Sequence, residues 1–315
     1  MMTLTKMSPS GWRYYAEEVS SGKEDYYAVS SETLGRFVGQ GAIAFGLAET
    51  EVSPLALERL FGAGSDPRTG EPLGRGFAPD KAGVVAGFPM SFSPPKSVSV
   101  FWACADEETS AEVLAAHEAA VEEAIAFLDE HAAFTRRGHA GVHQVDTEGL
   151  VGVTFVHRTS RAADPQLHTH LLIANKVHAT DGKWLAIDGR ELFTHQKAAG
   201  MLYNAALRAE LTRRCDVAWT EVDENGIAEI VGVPQELADA WSARRNDLKR
   251  VANELIADGE ADMGRTMTSG ERTEIYSTDF ARVMILATTA SAKVEENGCA
   301  ALLLKPMVIS TLPST

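Results

Sequence analysis

The segment His157-Arg158-Thr159-Ser160-Arg161-Ala162-Ala163-Asp164-Pro165-Gln166-Leu167-His168-Thr169-His170 decides how this chain is read. It joins two runs rich in Val, Leu, Ile, Phe and Thr, residues 149–158 and 166–177, whose composition predicts strands. The Ser, Arg, Ala, Asp and Pro between them suit a short connection between neighbouring antiparallel strands. Side chains alternate along a strand, so His168 and His170 share one face and Thr169 takes the other. With His157 across the hairpin on that same face, three neutral imidazoles make a half-shell. Such a half-shell leaves a divalent ion its full charge and open positions for phosphate oxygen and water. That is the arrangement of a Lewis acid that grips a phosphodiester. A lone His-x-His is a weak signal, because hydrogen-bonded strand histidines are common; the third histidine on the adjacent strand strengthens it. His117, His131, His139, His143, His178 and His195 have no such pattern and read as surface or locally bonded residues.

The second signal lies near the N-terminus, where Tyr14-Tyr15 and Tyr26-Tyr27 supply four of the six tyrosines. A single tyrosine is ordinarily packing material. Paired doublets in a chain with a metal half-shell suggest chemistry, since a phenol oxygen can attack a phosphodiester and keep its bond energy in a phosphotyrosine link. With a pKa near 10, about 0.1% of a phenol is ionised at neutral pH, roughly 4 kcal/mol from full activation. A cation on the scissile phosphate and a nearby base would offset much of that.

Outward from these signals, residues 2–7 alternate like a short strand, and Ser8-Pro9 start a helix carrying Trp12, Tyr14 and Tyr15. Residues 62–80 are dense in Gly and Pro and read as turns. Residues 97–103 read as a β-rich run, and a long helix is expected over about 110–133. Asp181-Gly182 marks a tight turn, and further helices are expected over 195–214 and 234–257. There is no internal repeat, and the tail from about Ser277 has no readable pattern.

The 315 residues provide ample material for a core, with 45% hydrophobic and 23% charged. No apolar run reaches membrane-span length, no hydrophobic leader opens the chain, and three scattered cysteines fit a reducing compartment. The expectation is a cytoplasmic protein without membrane insertion. A net charge of −15 at first argues against a nucleic-acid partner. The distribution reverses that: residues 106–130 hold nine acids and no Lys or Arg, whereas 135–214 hold eleven Lys and Arg against seven Asp and Glu. The acidity sits on one solvated helix, and the histidine region is mildly basic.

These residues resemble a known family, the MobF-type (TrwC-like) conjugative relaxases of the HUH endonuclease superfamily. The resemblance rests on both tyrosine doublets, on Ser91-Phe92-Ser93-Pro94-Pro95-Lys96-Ser97-Val98-Ser99 and on the 157–170 run. Asp181-Gly182-Lys183-Trp184 and Tyr203-Asn204-Ala205 continue it, over roughly residues 1 to 275. It implies a two-layer α+β fold, a five-stranded antiparallel sheet flanked by helices, with 276–315 an unassigned tail. It implies cleavage and rejoining of one DNA strand at a plasmid or integrative-element transfer origin, through a covalent 5′-phosphotyrosine. Tyr14 then matches the primary nucleophile, Tyr26 the second tyrosine used in strand transfer, and Tyr15 and Tyr27 supporting residues. His157, His168 and His170 fall on the metal ligands, with Mg²⁺ or Mn²⁺ expected and Zn²⁺ the alternative. The implied partners are single-stranded or hairpin DNA of the transfer origin, other conjugation proteins and a helicase acting in trans. Lys96, Arg158 and Arg161 are candidate phosphate contacts, with a solvated surface cation an equal reading for each.

Two departures temper the match. Relatives usually carry an acid a few positions before the Ser-Pro-Pro-Lys word, where this chain has Pro89, which can neither accept a proton nor donate a backbone hydrogen bond. Relatives also usually continue into a helicase domain, and no Gly-x-x-x-x-Gly-Lys-Ser/Thr phosphate loop occurs here, so no helicase domain is expected. The alternative function is therefore a weakened or inactive relaxase remnant that binds origin DNA. A replication initiator or transposase of the broader group is disfavoured, because those proteins commonly place their tyrosine after the histidines.

Overall fold

A computed structural model describes residues 2–20, 35–48, 50–78, 83–160, 162 and 164–272. Tyr26, Tyr27, Arg161 and the 276–315 tail lie outside the described residues. The contacts divide the chain into two units, Met1–Trp241 and Ser242–Thr315.

In the first unit the elements run β1 (Met2–Leu4), α1 (Trp12–Ser20), β2 (Arg36–Val38), α2 (Gln40–Ala44), α3 (Pro54–Leu57) with a π-helical turn over Glu58–Ala63, and β3 (Gly87–Phe92). They continue with α4 (Lys96–Cys104), α5 (Glu107–Ala132), β4 (Phe134–Arg137), β5 (His143–Asp146), β6 (Gly152–Thr159) and β7 (Pro165–Ala174). The short hairpin β8 (Val177–His178) and β9 (Trp184–Leu185), then α6 (Gly189–Cys215) and α7 (Gln235–Ala240), complete it. The second unit contains α8 (Ala243–Met263).

Five strands form one antiparallel sheet in the order β1-β3-β7-β6-β2. The hairpin predicted around the histidine run is its centre, β6 and β7. Alternation makes the sheet two-faced. Val156, Leu167, Leu171 and Ile173 face the long helices α5 and α6, together with Phe88, Met90 and Phe92 from β3. Val153, Phe155, Leu172 and Ala174 point the other way, onto α1, α2, α3 and the π-helical turn. Helix α5 begins at Asp106, whose carboxylate accepts from Thr109 N (2.8 Å), and buries Val113, Ala116, Ala120 and Val121. Gly149 is required ahead of β6: its φ is +108°, and a Cβ there would lie 2.8 Å from the Asp129 carboxylate that accepts from Gln40 N and Leu150 N.

Three sequence expectations change. Residues 97–103 form helix α4, not a strand. The run is apolar nearly throughout, so its periodicity cannot separate the two, and Ser97, Val98, Ser99, Val100 and Trp102 are all buried. The helix expected over 234–257 breaks at Trp241-Ser242 into α7 and α8. The β4–β5 ribbon was not anticipated; its four-residue strands, rich in Arg, His and Gln, lack an apolar face.

Candidate functional site

The site is built on the α1 face of the central hairpin. His157 and His168 sit opposite one another in the β6–β7 ladder, and His170 lies two residues further on, between Phe155 of β6 and Ser91 of β3. The period of two turns all three imidazoles to one face. Their ring centres are 5.1 Å (157–168), 5.1 Å (157–170) and 5.0 Å (168–170) apart. Imidazoles bound tetrahedrally to one ion at about 2.0–2.1 Å would have ring centres roughly 5 Å apart, so the spacing fits a cation. Among the described residues no three His, Cys, Asp or Glu donors have closed around a common point. The three rings are gathered on one face, and hydrogen bonds orient two of them. His168 Nδ1 bonds the Gln166 carbonyl at 2.8 Å, and His170 Nδ1 bonds the Ser91 hydroxyl at 2.8 Å. Both bonds engage Nδ1, which makes Nε2 the nitrogen suited to coordination.

Helix α1 brings the first tyrosine doublet to the same face. Tyr15 stands edge-on to His170 with ring centres 5.4 Å apart and stacks along Phe155 at 6.4 Å. Tyr14 meets Tyr15 edge-on at 5.0 Å and is 40% exposed. The inner tyrosine packs against His170, and the outer one is partly exposed. Pro89 and Ser91 alternate with the buried Phe88, Met90 and Phe92, so both belong to the histidine face of β3. Pro89 pairs with Leu172 and brings no proton acceptor there.

The proposed phosphate contacts are placed differently. Lys96 turns its ammonium onto the Pro165 carbonyl (2.6 Å) and reaches Gln166 Oε1 (3.5 Å). Burial lowers its pKa, with the Asp164 charge acting in the opposite direction. Arg158 alternates with His157 and so lies on the α5 face, where its charge reaches Glu118.

Sequence reasoning missed His117. It is fully buried in α5, bonding Tyr203 Oη through Nδ1 (2.9 Å) and Thr169 Oγ1 through Nε2 (2.8 Å). Burial first, then the neighbouring His168 and N-terminal charges, push its pKa down to about 3, so the ring is neutral. Burial likewise raises the Tyr203 phenol well above its ordinary value. Thr169, between the two histidines of the His-x-His, is thus tied to α5 and α6 from the opposite face. The available signal was the coincidence of His117 with the buried stripe of α5.

The antiparallel sheet with its flanking helices is an α+β fold that carries His157, His168 and His170 on one face. The chain matches the TrwC relaxase family over residues 9–302. It is 28% identical over 264 residues to the multifunctional conjugation protein TraI of Escherichia coli, covering 80% of this chain. TraI of strain K12 is likewise 28% identical, over 269 residues. The chain spans only 14% of the length of either relative. Its fold is similar to that of the conjugative relaxase TrwC in complex with oriT DNA in a metal-bound form. That likeness has a TM-score of 0.68 and 23% identity, covering 94% of this chain and 99% of the other. A copper-bound form of the same complex gives 0.67 and 24%, with 94% and 97% covered. At such identity the likeness is one of fold. The chain belongs to the TrwC relaxase family.

Proposed function

We propose that this chain cuts and rejoins one DNA strand at a transfer origin, with Tyr14 as nucleophile and His157, His168 and His170 as ligands of a divalent cation. The observation that carries this reading is the gathering of three imidazoles, 5.0–5.1 Å apart, beside the tyrosine helix. The relatives, a conjugation protein and a relaxase in complex with oriT DNA and metal, support it. Single-stranded or hairpin DNA is the proposed partner, with other conjugation proteins and a helicase in trans around it, in the cytoplasm.

In the proposed reaction Tyr14 Oη bonds to the scissile phosphorus and the P–O3′ bond breaks. The phenol proton ends on the departing 3′ oxygen, directly or through solvent, and the phosphodiester energy is kept as a 5′-phosphotyrosine. Attack by a 3′-hydroxyl reverses the step and rejoins the strand. Tyr15, wedged against His170 and Phe155, fixes the register of α1 and thereby the position of Tyr14. Tyr26, supported by Tyr27, is the proposed nucleophile of strand transfer. A bound Mg²⁺ or Mn²⁺, with Zn²⁺ the alternative, supplies positive charge to the non-bridging phosphate oxygens. Arg158 and Arg161 remain proposed phosphate contacts, whereas Lys96, bonded to the Pro165 carbonyl, is proposed as a structural tie.

The test is cleavage of an oligonucleotide bearing the cognate nick site, with Mn²⁺. Cleavage with a covalent adduct is expected, lost with chelator and lost in Tyr14→Phe. Alanine at His168 should reduce the rate by about 100-fold or more. An adduct of unchanged yield in Tyr14→Phe would remove Tyr14 from its role. Pro89 motivates a second reading, a DNA-binding remnant. Tight binding without cleavage, and cleavage regained in Pro89→Asp, would favour it.

A further inference from the structure

We propose that Ser91 is a positioning residue of the metal centre, its hydroxyl accepting from His170 Nδ1 and holding the ring in the orientation in which Nε2 is offered to the cation. This inference rests on the histidine-triad reading above. Ser91 lies opposite His170 in the β3–β7 ladder, and its Oγ is 2.8 Å from His170 Nδ1. Directly opposed side chains of an antiparallel pair share a face at close range, so the strand register itself delivers the hydroxyl. Serine has a single side-chain torsion to fix, so holding this bond costs little rotamer entropy.

The two histidines of the His-x-His are held differently. His168 Nδ1 is held by the Gln166 carbonyl, a backbone group two residues back that no substitution removes. His170 depends on a side chain from another strand. It also carries the contact with Tyr15, at 5.4 Å between ring centres. Ser91 therefore fixes the imidazole that joins the triad to the tyrosine helix. A hydroxyl also adds no charge to the histidine face, whereas a carboxylate there would partly cancel the charge of a bound cation.

The experiment titrates the full chain and its Ser91→Ala, Ser91→Thr and Thr3→Ala variants with Mn²⁺, and records the visible d–d spectrum of each with Co²⁺. Thr3 pairs with Ser91 from the edge strand and serves as the control. Ser91→Ala should weaken Mn²⁺ binding by about 10- to 100-fold and alter the Co²⁺ spectrum, with its metal-free melting temperature close to that of the unaltered chain. Ser91→Thr, which keeps the hydroxyl, should restore both, and Thr3→Ala should change neither. Unaltered affinity and spectrum in Ser91→Ala would overturn the proposal and leave the triad reading standing. So would an equal loss in Thr3→Ala, which would trace the effect to the strand and not to the hydroxyl. Failure of the unaltered chain to bind Mn²⁺ or Co²⁺ would overturn the triad reading and this inference with it.

Discussion

A neutral imidazole in a core costs free energy unless both ring nitrogens find partners, and His117 has two, Tyr203 and Thr169. Removing the ring leaves a buried phenol and a buried hydroxyl each without this bond. His117→Phe should therefore cost about 2–4 kcal/mol in urea denaturation, while His117→Phe combined with Tyr203→Phe and Thr169→Val should recover much of that. The sign of the pH dependence follows from the depressed pKa. In the unfolded chain the ring protonates near its ordinary 6.5, whereas in the fold it resists until about 3. The unfolded state thus binds the extra proton, and stability present above pH 6.5 is lost as pH falls from there toward 3. Urea midpoints measured between pH 6.5 and 4 should fall less steeply in the triple variant. Equal slopes would show that His117 does not contribute to the acid limb. No reading of composition or spacing could have found these bonds, since they span 86 and 52 residues of sequence.

Helix α4 shows the same limit for an element. Its apolar residues are what a strand would use, and only the tertiary setting reveals what its polar residues do. Strand β3 ends at Phe92, opposite Thr169, so the start of β7 needs other partners on that side. Helix α4 supplies them: Ser99 Oγ accepts from Leu167 N (3.1 Å), and Lys96 Nζ donates to the Pro165 carbonyl. Ser97 accepts from Ile230 N through its hydroxyl (2.9 Å), while its own N–H donates to Glu229 (3.1 Å). The Ser-Pro-Pro-Lys-Ser-Val-Ser word is thus a clamp on the histidine strand. Ser99→Ala should lower stability by about 1–3 kcal/mol, because it strands a buried N–H. Lys96→Met should also destabilise the chain and leave the salt dependence of DNA binding unchanged. A slope reduced by about one would instead make Lys96 a phosphate contact. The β6–β7 hairpin, by contrast, was legible from sequence, because strand composition, connection and histidine alternation agree there. The α7–α8 break was not, for the helical pattern continues through it.

For the molecule as a whole, burial on both sheet faces is independent of any cation: the triad lies on a folded framework of Val153, Phe155 and Leu172. Chelation should therefore leave the protein folded. A cation at about 100 times its dissociation constant should add about 2.7 kcal/mol of stability, an increment absent in His170→Ala. Unfolding on chelation would make the metal structural. The charge distribution was also readable in advance. The acids of α5 flank a face that buries Val113, Ala120 and Val121 against the sheet layer, while the triad occupies the opposite face. The gathering of the histidines followed from local pattern, and the class of fold from the family resemblance. The orientation of His168 and His170 depended on Gln166, Ser91 and Tyr15, partners set by register and helix placement.

Mapping the covalent product by peptide mass tests the central claim most directly. After incubation of the protein with its nick-site oligonucleotide and Mn²⁺, the peptide containing Tyr14 should carry the 5′-phosphate, and chelator or His168→Ala should remove the modification. An adduct confined to another residue, or cleavage undiminished without the three imidazoles, would contradict the account.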